Sequence, residues 1–104
     1  VLLCATTALP SLPADHDPTA DRVEIAGRAV HPMLGWVLTT PFNMLSRCPV
    51  LAVPSGHAPS GVPTGVQIVG RPHDDHAVFR AGYALEAARG PWYREAATRP
   101  ALAG

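Results

Sequence analysis

Two apolar runs set by prolines and glycines constrain this chain most. The first is "PVLAVP", residues 49–54, and the second lies in "GVPTGVQIVG", residues 61–70. Proline donates no backbone hydrogen bond and is kept out of the middle of a ladder, so Pro54 and Pro63 are expected to mark strand ends. An unbroken apolar run of this length reads as a strand buried on both faces. The second run, with "TGVQIVG" as its strand, carries a single polar amide, Gln67, and glycines that weaken a strand unless other groups must approach its backbone closely. Joined by the turn residues of "SGHAPSGVP", the two runs are expected to form a hairpin with a long connection. Such a hairpin suits the core of a sheet larger than 104 residues build.

The charge content points the same way. Charged residues make up 15% of the chain and hydrophobic ones 47%. Soluble domains average about 25% charged residues, and a small domain, rich in surface, should hold more rather than fewer. Part of this surface is therefore expected to lie under further protein. The first residue, Val1, fits a fragment or a processed chain.

Every basic residue is arginine, and eight acids balance the eight arginines. With no net charge and no basic run, nucleic-acid binding has no electrostatic support. Cys4 and Cys48 sit in apolar surroundings without a CxxC spacing and read as buried, reduced thiols of a cytoplasmic protein, with a structural disulfide as the alternative. No apolar run approaches the ~18 residues needed to span a membrane. "VLLCATTALP" lacks the basic flank of a signal peptide.

Along the chain, residues 1–4 read as a buried strand, followed by an exposed irregular segment through "PSLPADHDPTADR". "VEIAGRAV", 23–30, reads as a short hairpin around Gly27. A buried helix is expected over 33–45, with Pro32 in its first turn and a break or kink at Pro41. Gly35 there either weakens the helix or permits close packing. The clearest helix lies in "HDDHAVFRAGYALEAARG". Asp74 or Asp75 caps it, and Val78, Phe79, Ala81, Gly82, Leu85 and Ala88 form its apolar face. Arg80, Glu86 and Arg89 point outward, and Gly90–Pro91 stops it. Residues 91–104 form a tail.

Each candidate for chemistry has a plainer reading. "HDDH", 73–76, offers metal-ligand types, but aspartate at a helix start is explained by capping alone. Cys48 and His57 lack the electropositive setting of a thiol nucleophile, Arg47 apart. No serine sits in G-x-S-x-G, and "SGHAPSG" lacks the lysine of a phosphate loop. Asn43 reads as a structural amide. Gln67 is either bonded to neighbouring backbone, the favoured reading, or turned into a pocket.

Taken together, "FNMLSRCPVLAVPSG", "GVPTGVQIVGRPHDD" and "FRAGYALE" resemble the C-terminal end of the amidase signature family. The family pattern of an Asn, a Pro, a second Pro with Gly two residues on, then G-[LV]-P-x-G-x-Q-x-x-G and an acid before a final helix falls on Asn43, Pro49, Pro54, Gly56, Gly61, Pro63, Gly65, Gln67 and Gly70, with Asp74 or Asp75. "LLCATTALPSLPA" resembles a further family segment, although Ala5 stands where proline is common. The spacing from Asn43 to Pro49 is one residue longer than in many relatives.

The resemblance implies α/β architecture: the C-terminal part of a large α/β/α fold with a mixed sheet, incomplete in this chain, with residues 1–104 a single partial domain. It implies hydrolysis of amides, or transfer of ammonia from them, by a Lys, a cis-Ser and a nucleophilic Ser far upstream. No catalytic residue falls within this chain, which has no lysine. It implies no cofactor and no metal. The implied partners are the rest of the amidase domain and a small-molecule amide substrate. Trp36, Thr39, Thr40 and Phe42 are the implied pocket-lining candidates. The alternative is a non-catalytic remnant or a stand-alone interaction module. The pattern does not separate amidases from carbamoyl hydrolases or transamidating enzymes acting on charged tRNA.

Overall fold

The computed structural model describes residues 1–90; the expected tail, 91–104, lies outside them. Seven elements follow in order: β1 (Leu2–Ala5), β2 (Val23–Ile25), β3 (Arg28–Val30), α1 (Thr40–Met44), β4 (Val50–His57), β5 (Pro63–Val69) and α2 (Asp75–Arg89). The chain is α/β, with β1, β5 and β4 forming one sheet in that order and β2 and β3 a separate hairpin. The expectation of a mixed sheet is not met among the described residues, whose strands all pair antiparallel.

The two apolar runs do pair as a hairpin, in the register Val50↔Val69, Leu51↔Ile68, Ala52↔Gln67 and Val53↔Val66. Pro54, however, does not end its strand. β4 continues to His57 through a register shift between Pro54 and Gly56. The described part of β4 lies at the sheet edge, and an edge strand with a bulge tolerates the missing N–H. Pro63 does begin β5. The connection shrinks to 58–62, closed by Ala58 N–H to the Val62 carbonyl at 2.8 Å.

"PVLAVP" is not buried on both faces. Leu51 and Val53 are half-buried on the α2 side, whereas Ala52 and Val50 (41% exposed) lie open on the other. Likewise β1 is not a buried strand: Leu2 and Leu3 are 53% and 59% exposed. Cys4 and Cys48 are free thiols, as expected, but only half-buried. These corrections share one cause: the described residues cover only part of each face.

The expected helix over 33–45 shrinks to α1. Residues 32–36 form turns, and 36–38 run antiparallel to 6–8. Ala8 N–H donates to the Trp36 carbonyl at 2.8 Å and Leu38 N–H to the Thr6 carbonyl at 3.0 Å. That pairing claims backbone groups a helix needs, and Pro41 is accommodated only at the start of α1, where no N–H is required. Gly35 permits close packing: a Cβ there would stand 2.6 Å from His31 N. Met33 and Leu34 are exposed rather than buried. His16 anchors the preceding irregular segment, with Nε2 3.3 Å from the Pro32 carbonyl and Nδ1 3.5 Å from Asp21 Oδ2. The β2–β3 hairpin turns at Ala26 and Gly27, both at positive φ (50° and 76°), which suits the twist of a two-residue turn.

α2 starts as expected. Asp74 is its N-cap and accepts a bond from Ala77 N–H at 3.2 Å, with Asp75 in the first turn and Arg89 in the last. Asp74→Ala is expected to lower stability by about 1 kcal/mol in a denaturant titration. Val78 and Gly82 are buried against the sheet, and Ala81 and Leu85 half-buried. Phe79, about 100° round the helix from Val78, is 64% exposed and does not join that face, nor does Ala88. Arg89 does not simply point outward, since its Nη2 lies 3.2 Å from where a Cβ on Gly56 would be. The buried apolar side chains among the described residues are Val23, Ile68, Val69 and Val78. No helix among them is long and apolar enough to cross a membrane.

Candidate functional site

An opening lies at one end of the β1–β5–β4 sheet, a cavity of about 440 Å³ lined by Ala5–Pro10, Ser55, Ala58 and 63–66. β1 and the chain after it form one wall, and the bulged end of β4 with the start of β5 form the other. Four hydroxyls line it, and most of their hydrogens are committed. Thr6 Oγ1 donates to the Gly65 carbonyl at 3.3 Å and Thr7 Oγ1 to the Leu9 carbonyl at 2.8 Å. Ser55 Oγ and Thr64 Oγ1 share one bond at 3.0 Å across the β4–β5 ladder. A hydroxyl has one hydrogen and two lone pairs, so this wall offers mainly acceptors. None of its side chains is ionisable. It suits a neutral group that donates hydrogen bonds.

The residues expected to line a pocket stand elsewhere. Trp36 is half-buried, its Nε1 donating to the Pro32 carbonyl at 3.1 Å. Thr39, the N-cap of α1, and Phe42 are half-buried, and Thr40 is exposed. All four lie on the 36–42 stretch, which the resemblance implies as a pocket wall, where the chain passes from its pairing with 6–8 into α1. The cavity hydroxyls went unrecognised in the sequence. Their available signals were "TT" at 6–7 after an apolar run, and a Ser and a Thr flanking one turn.

The patterned residues 43–70 mostly serve packing. Asn43 is exposed at the end of α1. The Pro49 carbonyl accepts from Gly70 N–H at 2.9 Å. A Cβ on Gly70 would meet Val78 Cγ1 at 2.9 Å, Pro49 Cγ at 3.0 Å and the Asp74 carbonyl at 3.1 Å, so this glycine lets the start of α2 close onto the sheet. Gly56 (φ 139°) and Gly61 (φ 83°) take backbone conformations that favour glycine. Gln67 is 1% exposed, and its Nε2 donates to the Ala5 and Leu38 carbonyls at 2.9 and 3.0 Å. Its Oε1 is buried and accepts no bond.

A shallower opening of about 210 Å³ holds Cys48 beside His73, with Arg47 and Asp75. His57 is not among its lining residues. Among the described residues no three of His, Cys, Asp and Glu gather as a metal site. Asp17, outside the lining of either opening, has its pKa lowered, first by the side-chain hydrogen bond from Thr19 and then by the Thr19 backbone N–H.

No protein-family model matches the chain, and no solved structure matches it. Curated relatives do. The chain is 46% identical over 52 residues to a glutamyl-tRNA(Gln) amidotransferase subunit of Latilactobacillus sakei, a match covering 50% of this chain and 10% of the relative. It is 34% identical over 82 residues to the protein of the same name from Mesorhizobium japonicum, covering 79% of this chain and 14% of the relative. It is 42% identical over 60 residues to an acylamidase of Rhodococcus erythropolis, covering 58% and 12%. The chain thus spans only about a tenth to a seventh of the length of these relatives. The matched regions of this chain are homologous to these amidase signature enzymes.

Proposed function

We propose that this chain is the C-terminal segment of an amidase-type hydrolase that cleaves carbon–nitrogen amide bonds. It supplies sheet strands, a closing helix and part of the substrate wall of a cytoplasmic enzyme. The lysine and serines of the reaction lie outside it. In the mechanism, a neutral lysine takes a proton through one serine from the nucleophilic serine, and backbone N–H groups hold the oxyanion. This chain has no lysine to play the first part.

The observation that carries the reading is shared sequence with relatives of two different names, acylamidase and glutamyl-tRNA(Gln) amidotransferase, over 58% and 79% of the chain. Amide chemistry is common to both. The uncharged, acceptor-rich wall at Thr6, Thr7, Ser55 and Thr64 is consistent with a small neutral amide whose N–H groups donate.

The test is hydrolysis of a small aryl amide. Residues 1–104 alone are expected to give no turnover, and the intact protein carrying them is expected to turn the amide over. Turnover by the chain alone, abolished in Cys48→Ala or His57→Ala, would overturn this reading and define a different small enzyme.

A further inference from the structure

We propose that Gln67 is a positioning residue, whose buried carboxamide fixes where the 36–42 segment lies against the sheet and so where Thr39, Thr40 and Phe42 stand. Gln67 lies in β5, whose backbone is paired on both sides, to Cys4 in β1 and Ala52 in β4. The ladder therefore makes no demand on its side chain. That side chain nonetheless commits both Nε2 hydrogens to chain distant in sequence, at Ala5 and Leu38, 62 and 29 positions away. One amide ties together the end of β1, the central strand and the start of the wall.

The amide has one workable orientation. Turned by half a revolution, Oε1 would face two carbonyl oxygens, and both bonds to Ala5 and Leu38 would be lost. The clip acts at the attachment point itself. Leu38 N–H is bonded to the Thr6 carbonyl, and Thr39, the next residue, is the N-cap of α1. Leu38 and Thr40 are exposed, whereas Trp36, Val37, Thr39 and Phe42 are half-buried and none is fully buried. Polar bonds therefore share the attachment with partial packing, and at Leu38 itself they carry it. Glutamate cannot replace the amide: ionised, it has no donor, and protonated, it has one.

That the 36–42 wall meets a substrate rests on the amide-hydrolase reading; the clip does not. The test is hydrogen exchange by mass spectrometry on the intact protein that carries this chain, comparing wild type with Gln67→Glu and Gln67→Met. Peptides over 34–42 are expected to exchange at least about tenfold faster in both variants, while peptides from α2 change little. After correction for intrinsic rates, Gln67→Glu should regain part of its protection as pH falls and its carboxyl becomes a donor, and Gln67→Met should not. Gln67→Met is also expected to raise KM for an aryl amide more than it lowers kcat.

Unchanged exchange over 34–42 in both variants overturns the proposal. If neither variant folds, the wild-type side-chain amide decides: both Gln67 Nε2 protons should be slow to exchange by NMR, and rates of a solvated amide overturn the clip. An intact wild-type protein without amide turnover sinks the hydrolase reading and leaves the exchange data to decide the clip.

Discussion

Produced alone, residues 1–104 are expected to collapse into a compact state that binds ANS and melts without a cooperative transition. Cooperative folding needs apolar burial large enough to offset chain entropy. Among the described residues that burial rests on Val23, Ile68, Val69 and Val78. Much larger groups stay in water: Leu2, Leu3, Leu34, Phe79 and Tyr83 are each more than half exposed, and Met44 is 81% exposed. The three-stranded sheet also leaves the outer edges of β1 and β4 unpaired among the described residues. Open edges beside exposed apolar side chains promote association. Far-UV circular dichroism should therefore report secondary structure while the near-UV signal of the aromatic residues stays weak. A clean monomer with a sharp melting transition would show that this chain is a complete domain and count heavily against the partial-domain reading.

The parts legible in the sequence are those governed by local chemistry. Asp74 before an apolar-periodic stretch and Gly90 after it define α2 to within a residue. Gly27 marks a turn because its conformation is decided on the spot. The family resemblance was legible because the order and spacing of Asn43 through Gly70 carry more information than any one motif. What was not legible depended on distant chain. Residues 33–38 have the composition of a buried helix, yet 36–38 are taken by backbone groups at 6–8, some thirty positions away. No local window contains that competition. Pro54 sits within a strand because the described sheet ends there, a fact of topology rather than of composition. Gln67 could be read either way from the sequence. Only the fold brings the Ala5 and Leu38 carbonyls to its amide. The cavity hydroxyls escaped for the same reason, since Thr6 and Thr64 meet only once β1 lies against β5.

Gly82→Val is expected to lower the stability of the intact protein by about 2–3 kcal/mol, the largest loss from any substitution considered for α2. The helix sits on the hairpin through Val78 and Gly82. A Cβ at position 82 would stand 2.6 Å from Leu51 Cδ2, 3.7 Å from Val53 Cγ1 and 3.8 Å from Ile68 Cδ1. Only the Leu51 contact is too close, and Leu51 is half-buried with a side-chain end free to rotate. Gly82→Ala should therefore change stability by less than about 1 kcal/mol, because alanine also favours the helix by a similar amount. The two further methyls of valine have no such escape. Val53 and Ile68 already stand at van der Waals distance from the added Cβ, leaving no room beyond it, and Ile68 is fully buried in the central strand. Relief then requires the helix to lift. Lifting α2 also draws Arg89 away from Gly56, whose neighbour Ser55 lines the cavity. The loss should appear as a lower urea midpoint with an unchanged slope, accompanied by faster exchange over residues 63–69. Gly70→Ala provides the contrast. Its new methyl meets the Asp74 carbonyl and the Pro49 ring, neither of which can rotate aside, so even alanine should cost about 1–3 kcal/mol there. Equal stability for wild type and Gly82→Val would mean that α2 does not bear on the hairpin through this glycine, and the helix would lose its part in shaping the cavity.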